Sequence, residues 1–208
     1  MFNDNYTLKP LLKKRRRYIS KPEKQPLNMI IARELKRTNI SEYLIYMFQV
    51  EDLIRLSQCD VSKVEENLSS KFNQPEKQMA EIKKWYEALC RMMAEEGLQQ
   101  SGHLQFISNQ IKELTDFHYR LLEFTDDENY PKLYSLAKED IAEFRKKIPS
   151  NPESEIEVCL YALYTLMLLR LKKMTITIET LEAMTNFTKW MAYLSQKFHE
   201  FEKGEFEF

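Results

Sequence analysis

Glycine is nearly missing from this chain: only Gly97, Gly102 and Gly204 occur among 208 residues. A phosphate-cradling P-loop or a dinucleotide fingerprint needs clustered glycines, because the backbone must turn tightly and approach the phosphate closely. Neither can be built from three scattered ones. No Gly-x-Ser-x-Gly elbow is present, which removes the usual serine-hydrolase turn. There is also no His-Glu-x-x-His, no Glu-x-x-His for a carboxylate-bridged metal pair and no Cys-x-x-Cys. On these grounds no metal and no cofactor is expected.

Cysteine is scarce as well. Cys59, Cys90 and Cys159 are an odd number without close spacing. Each lies in an apolar, helical context, the pattern of reduced, buried thiols in a cytoplasmic protein. Long hydrophobic runs are lacking too. The most apolar segment, Ile156 to Leu171, carries Glu157 and Arg170 and is shorter than the ~20 residues a spanning helix needs, so it reads as a core helix. No apolar stretch of secretory-signal length follows the basic run near the start. The expectation is a soluble, cytoplasmic protein.

A dominant charge is lacking overall, but not locally. Net charge is -1, so no global field favours nucleic acid or membranes. Residues 1–26, however, hold eight Lys/Arg against Asp4 and Glu23, a net of +6. Glu200, Glu202, Glu205 and Glu207 against Lys203 leave the last eleven residues at -3. The run Lys13, Lys14, Arg15, Arg16 and Arg17 suits phosphates, binding nucleic acid or acidic lipid in a salt-dependent, sequence-blind way. The other reading of that run is a solvated leader.

What is present is helix. Apolar content of 43% with 30% charged residues is ordinary for a globular protein. A short helix is predicted over 27–37, and Asn39 caps the next, with Glu42 three residues on completing a capping box. In that helix Tyr43, Tyr46, Met47, Val50, Leu53 and Ile54 share one face. Leu44, Ile45, Phe48 and Leu56 occupy much of the rest, so neighbours are expected on two sides. Ser62-x-x-Glu65 opens a segment to about Phe72. Pro75 starts a helix to Glu96, with Gly97 as its stop. Further helices are predicted over 103–124, from Pro131 to Ile148, from Pro152 to Lys173, and from a Thr177 cap to about Lys203. The expected architecture is an all-α, single-domain bundle of six to eight helices over 29–203, after a basic leader (1–28) and before an acidic tail (204–208).

Within this pattern a few polar residues fall on apolar faces. His118 lies near the middle of the arc made by Ile107, Ile111, Leu114, Leu121 and Leu122, so it points inward and needs a hydrogen-bond partner. Arg170 needs a carboxylate, for which Asp52 or Glu51 are candidates, unless it reaches water near its helix end. Glu42, Gln49, Asp52, Arg55, His118 and Arg170 are the candidate internal polar site, able to hold an anion, run acid–base chemistry or fix helix register. His103, after Gly102, is placed at a helix start, where it could line a pocket mouth beside Trp85 and Tyr86. The Met and Phe residues at helical spacing read as core.

Asn39 to Arg55 resembles the signature of an uncharacterised bacterial family, domain of unknown function 4924, found mostly in Bacteroidetes. Gln74-Pro75-Glu76, Trp85-Tyr86-Glu87, Glu96-Gly97, Gly102-His103-Leu104 and Glu113-Leu114-Thr115-Asp116 continue it. So do His118, Leu121-Leu122, Glu155-Ile156-Glu157 and Leu168-Leu169-Arg170-Leu171. The resemblance runs from about Met29 to about Leu194 and implies no activity, substrate or catalytic residue. Residues 1–28 lie outside it, as an extension or as a start codon placed too early.

Two functional classes follow. The first is a non-enzymatic helical module acting through protein partners or self-association, since Tyr, Phe, Trp and Met are abundant and motif chemistry is absent. The second is an enzyme or small-ligand binder with an internal polar site between helices. Nucleic-acid association through the leader is a third, weaker reading.

Overall fold

Asn39 ends one helix and begins another. Its amide donates to the Leu35 carbonyl at 2.8 Å, while its side-chain oxygen accepts from the Glu42 amide at 3.2 Å. The first of these helices, α1, spans Met29–Thr38, and the second, α2, spans Ile40–Leu56. The computed structural model describes residues 29–69, 76–148 and 152–208. The basic leader with Lys13, Lys14, Arg15, Arg16 and Arg17 lies outside the described residues, as do Phe72, Pro75 and Pro149.

Six more helices follow: α3 Val61–Ser69, α4 Glu76–Glu95, α5 Gln105–Phe124, α6 Asn129–Arg145, α7 Glu155–Leu171 and α8 Ile178–Glu202. Among the described residues there is no strand, and the protein is an all-α bundle. The expected caps at Asn39 and Thr177 are in place; Thr177 Oγ1 accepts from the Thr180 amide at 3.3 Å. Gly97, at φ +71°, closes α4 with the Leu98 amide bonded back to the Met93 carbonyl.

Four starts differ from the sequence expectation: α5 begins at Gln105 rather than at 103, and three others are set by unexpected caps. Asp60, not Ser62, caps α3, its Oδ1 accepting from Ser62 and Lys63 amides at 2.9 and 3.4 Å. A carboxylate one residue before the first helical residue faces those amides directly. By the same logic Asp127 Oδ1 takes the Asn129 and Tyr130 amides, so α6 begins two residues before Pro131. Ser154 caps α7 through the Glu157 amide at 3.1 Å, leaving Pro152 ahead of the helix, where its carbonyl accepts from Arg145.

α2 is buried on both expected sides except at its last residue, Leu56, which is 84% exposed where the helix ends. Tyr43, Leu44, Tyr46, Met47, Phe48, Val50 and Ile54 are all buried, and the helix packs against α1, α5, α7 and α8. α8 touches α1, α2, α5, α6 and α7, which makes it the shared spine of the core. Ser41 and Ser195 let α2 and α8 approach closely: the two hydroxyls are 2.5 Å apart, and the Ser41 amide reaches Ser195 Oγ at 3.3 Å. α2 and α7 run parallel, with Phe48 beside Tyr161 and Asp52 bonded to Tyr164, while α8 returns antiparallel to both.

Candidate functional site

Leu44, Phe48, Glu51 and Arg55 sit at i, i+4, i+7 and i+11 of α2, one stripe down a single face. That stripe carries a glutamate into the interior, where Glu51 has 0% exposure. An unpartnered carboxylate could not stay there. Glu51 Oε1 accepts from the Leu104 amide at 2.8 Å, and Oε2 pairs with His103 Nδ1 at 2.6 Å. The other imidazole nitrogen, Nε2, lies 2.8 Å from the Tyr161 hydroxyl. Phe48 stacks on the imidazole, with ring centroids 4.0 Å apart and planes 21° from parallel.

The loop between α4 and α5 positions His103. Gly102 adopts φ +92°, and a Cβ there would meet Leu98 Cδ2 at 2.9 Å, so the close turn needs glycine. Arg55 clasps the loop at both ends, donating through Nε to the Leu98 carbonyl at 3.1 Å and through Nη2 to the Gly102 carbonyl. Its remaining arm meets Asp52 at 2.7 Å, and Asp52 also accepts from the Tyr164 hydroxyl. Burial, and then Asp52, push the Tyr164 hydroxyl far above its ordinary value, so it stays a donor.

Glu51 and a further carboxylate, Glu96, also finish a helix. α5 has no side-chain cap of its own. Glu51 from α2 takes the Leu104 amide, and Glu96 takes the Gln105 amide at 2.7 Å. Two orphan donors and the positive end of the helix dipole are thereby satisfied from outside the helix.

A second cluster surrounds His118, which is fully buried. Its Nδ1 lies 2.6 Å from the Tyr130 hydroxyl, and its Nε2 is 3.8 Å from Glu155, too far for a hydrogen bond. Tyr134 donates to that same Glu155 oxygen at 2.7 Å, and the Trp190 ring stands edge-on to the imidazole. His118, and then the Tyr134 bond, hold the Glu155 carboxyl below its usual value against the opposing effect of burial.

The six predicted site residues are therefore distributed as follows. Asp52 and Arg55 form one ion pair. Glu42 and Gln49 are half-buried on α2. His118 belongs to the second cluster; Glu155 and Tyr164, which mark the two clusters on α7, are about 13 Å apart at 1.5 Å rise per residue. Arg170 is exposed in the last turn of α7, since Glu51 and Asp52 are taken by His103 and by Arg55, one turn away on the same helix. His103 meets Glu51, Tyr161 and Phe48, while the rings of Trp85 and Tyr86, expected beside it, meet each other.

Glu51, Tyr161 and Tyr164 were not among the predicted site residues. The stripe Leu44, Phe48, Glu51 and Arg55 was the available signal for Glu51. Nothing local marks Tyr161, which is 58 residues from its imidazole partner.

Chemically, the Glu51 carboxylate favours the tautomer with the proton on His103 Nδ1, which leaves Nε2 to accept from Tyr161. That line is an acid–base pair held in a fixed orientation. Two of the thiols are poor nucleophiles: burial first, then Cys59 and Asp60, push Cys90 up to about 11, and burial raises Cys159 well above its ordinary value. Among the described residues no three His, Cys, Asp or Glu side chains are grouped to hold a metal, and no helix is long and apolar enough to cross a membrane.

A family model described as a domain of unknown function (DUF4924) matches residues 29–205. No curated protein and no solved structure matches the chain.

Proposed function

The chain belongs to the family of the domain of unknown function 4924, and from that premise we propose that it is a non-enzymatic helical module working through a protein partner or through self-association. One observation carries this reading. Leu56 is 84% exposed, Ile178 72%, Met174 54% and Leu171 39%. They come from the C-terminal ends of α2 and α7, the connection after α7 and the first residue of α8. Because α2 and α7 are parallel and α8 antiparallel, all four lie at one end of the bundle. Single exposed apolar residues are ordinary, whereas a group of them at one place marks an interaction surface.

The polar clusters between the helices support the same reading. Glu51, His103, Asp52, Arg55 and His118 bond to protein groups in pairs and chains, the arrangement of polar groups that hold helices in register. Three free cysteines, two of them buried, support a cytoplasmic location.

Size-exclusion chromatography with light scattering, with partner capture from the native host, tests the module. The wild type is expected to self-associate or to hold a partner, and Leu56→Asp with Ile178→Asp is expected to abolish this without loss of helicity. A strict monomer without any partner would overturn the reading.

A ligand-binding or catalytic alternative is favoured by one specific feature, the His103 imidazole fixed between Glu51 and Tyr161. It requires a small molecule that raises the melting temperature of the wild type but not of the His103→Gln variant. A small-molecule screen in which every stabiliser acts equally on both proteins removes this alternative.

A further inference from the structure

At the other end of α8 the chain turns back on itself. Gly204, at φ +70°, closes the helix, with the Glu205 amide bonded to the Glu200 carbonyl at 2.8 Å. Two aromatic residues beyond it, Phe206 and Phe208, return onto α5. Phe208 lies 5.4 Å from Phe117 and 5.3 Å from Phe201 between ring centroids, and the Arg120 guanidinium covers it at 3.8 Å. Phe206 also meets the Phe117 ring, with the Lys197 ammonium 5.2 Å above its own. Glu205 and Glu207, before and between the two rings, face solvent.

The seat of the tail has open space next to it. Beside it is an open cavity of about 390 Å³, lined by Asn109, Lys112, Asp116, Phe117, Arg120 and Phe198 among others. That volume is within the usual range of ligand and peptide pockets, ~300–1,000 Å³. Phe117, Arg120 and Phe201 are common to the cavity and to the seat of the tail. One continuous groove therefore runs along α5 and α8, part occupied and part open.

We propose that this groove docks a segment of a partner protein carrying two aromatic residues spaced aromatic-x-aromatic, and that Phe206-Glu207-Phe208 is its occupant in cis. The seated tail shows the chemistry that fits: two rings against Phe117 and Phe201, each under a cation, with the intervening residue facing water. The occupant is a different protein for a reason of mass action. The tail of a second copy offers the same contacts, yet competes with a tether whose effective concentration is in the ~mM range. A partner that also fills the open cavity gains contacts that no tail makes, and can displace Phe208 from under Arg120. The groove is at the opposite end of α8 from Leu171, Met174 and Ile178, so it stands or falls independently of the apolar end.

Fluorescence anisotropy of a labelled, C-amidated Gly-Glu-Phe-Glu-Phe peptide against the full-length protein tests the groove. The Phe206→Ala, Phe208→Ala double variant is expected to bind the probe about 3–10-fold more tightly than the wild type, as a millimolar competitor is removed. Adding Arg120→Ala, an exposed site, is expected to abolish the gain, with circular dichroism confirming the fold in each case. Phe208→Ala alone, at a partly exposed position, serves if the double variant does not fold and should bind more tightly than wild type. Equal binding by wild type and tail variants, or no binding by the variants, overturns the proposal. A wild-type dimer lost in the tail variants assigns the groove to a second copy and overturns the partner.

Discussion

Glu51 has no contact with solvent, and its two oxygens hold an imidazole and a backbone amide from a loop about fifty residues away. Glu51→Ala strands both donors in the interior, and the expected cost is about 3–5 kcal/mol, the range for breaking one side of a buried pair. Glu51→Gln keeps a carbonyl for the Leu104 amide and is expected to cost about 1–3 kcal/mol. Urea unfolding measures both, and a double-mutant cycle with His103→Gln isolates the pair. Equal losses for Ala and Gln would show that the amide bond is immaterial. The second cluster makes a prediction about pH. The Glu155 carboxyl is held below its ordinary 4.5 by His118 and Tyr134. A carboxyl depressed in the folded state contributes stability that is complete above 4.5 and is lost as pH falls through the folded value. The stability difference between wild type and Glu155→Gln should therefore be largest above that pH and should close below it. A constant difference across the acid limb would contradict this account.

At the scale of the helix, Lys173 is the telling case. It occupies the left-handed region at φ +54° just after α7, with the Met174 amide bonded to the Leu169 carbonyl at 3.0 Å. This is the C-terminal motif that favours glycine, and a residue with a Cβ is strained there by about 1–2 kcal/mol. Lys173→Gly relieves the strain but loosens the unfolded chain, so a net gain of roughly 0.5–1 kcal/mol is expected. Differential scanning calorimetry should record a rise of about 1–4 °C for a chain of this size. A fall would mean that the Lys173 side chain contributes more than its backbone costs. Helix starts follow an equally local rule. Asp60, Asp127 and Ser154 each stand just ahead of amides they accept from, and these caps, rather than Ser62, Pro131 and Pro152, mark where α3, α6 and α7 begin.

For the molecule as a whole, α8 links the bundle, and its approach to α2 depends on small side chains. Ser41 and Ser195 meet at 2.5 Å between hydroxyls, and both are buried. Ser195→Leu inserts volume where two backbones are close and is expected to destabilise the protein by about 1–3 kcal/mol, with the same fold retained. Thermal unfolding followed by circular dichroism gives the loss. An unchanged midpoint would show that α2 and α8 can separate without cost, contrary to their role at the centre of the core. The two ends of α8 then have separate tasks: the start presents Ile178 beside the apolar end, and the finish delivers Phe206 and Phe208 to α5.

Helical class, the two-sided burial of α2, the inward His118, the Asn39 and Thr177 caps and the Gly97 stop were all legible in the chain. Each depends on residues within a turn or two of one another, and short-range spacing leaves a periodic trace. The pairing of Glu51 with His103, of His103 with Tyr161 and of Asp52 with Tyr164 depended on packing. Those partners are 52, 58 and 112 residues apart. No periodicity connects them, because only the crossing of α2 and α7 beside the α4–α5 loop brings their polar atoms within reach. Packing likewise left Arg170 at the surface, once nearer groups had taken both carboxylates.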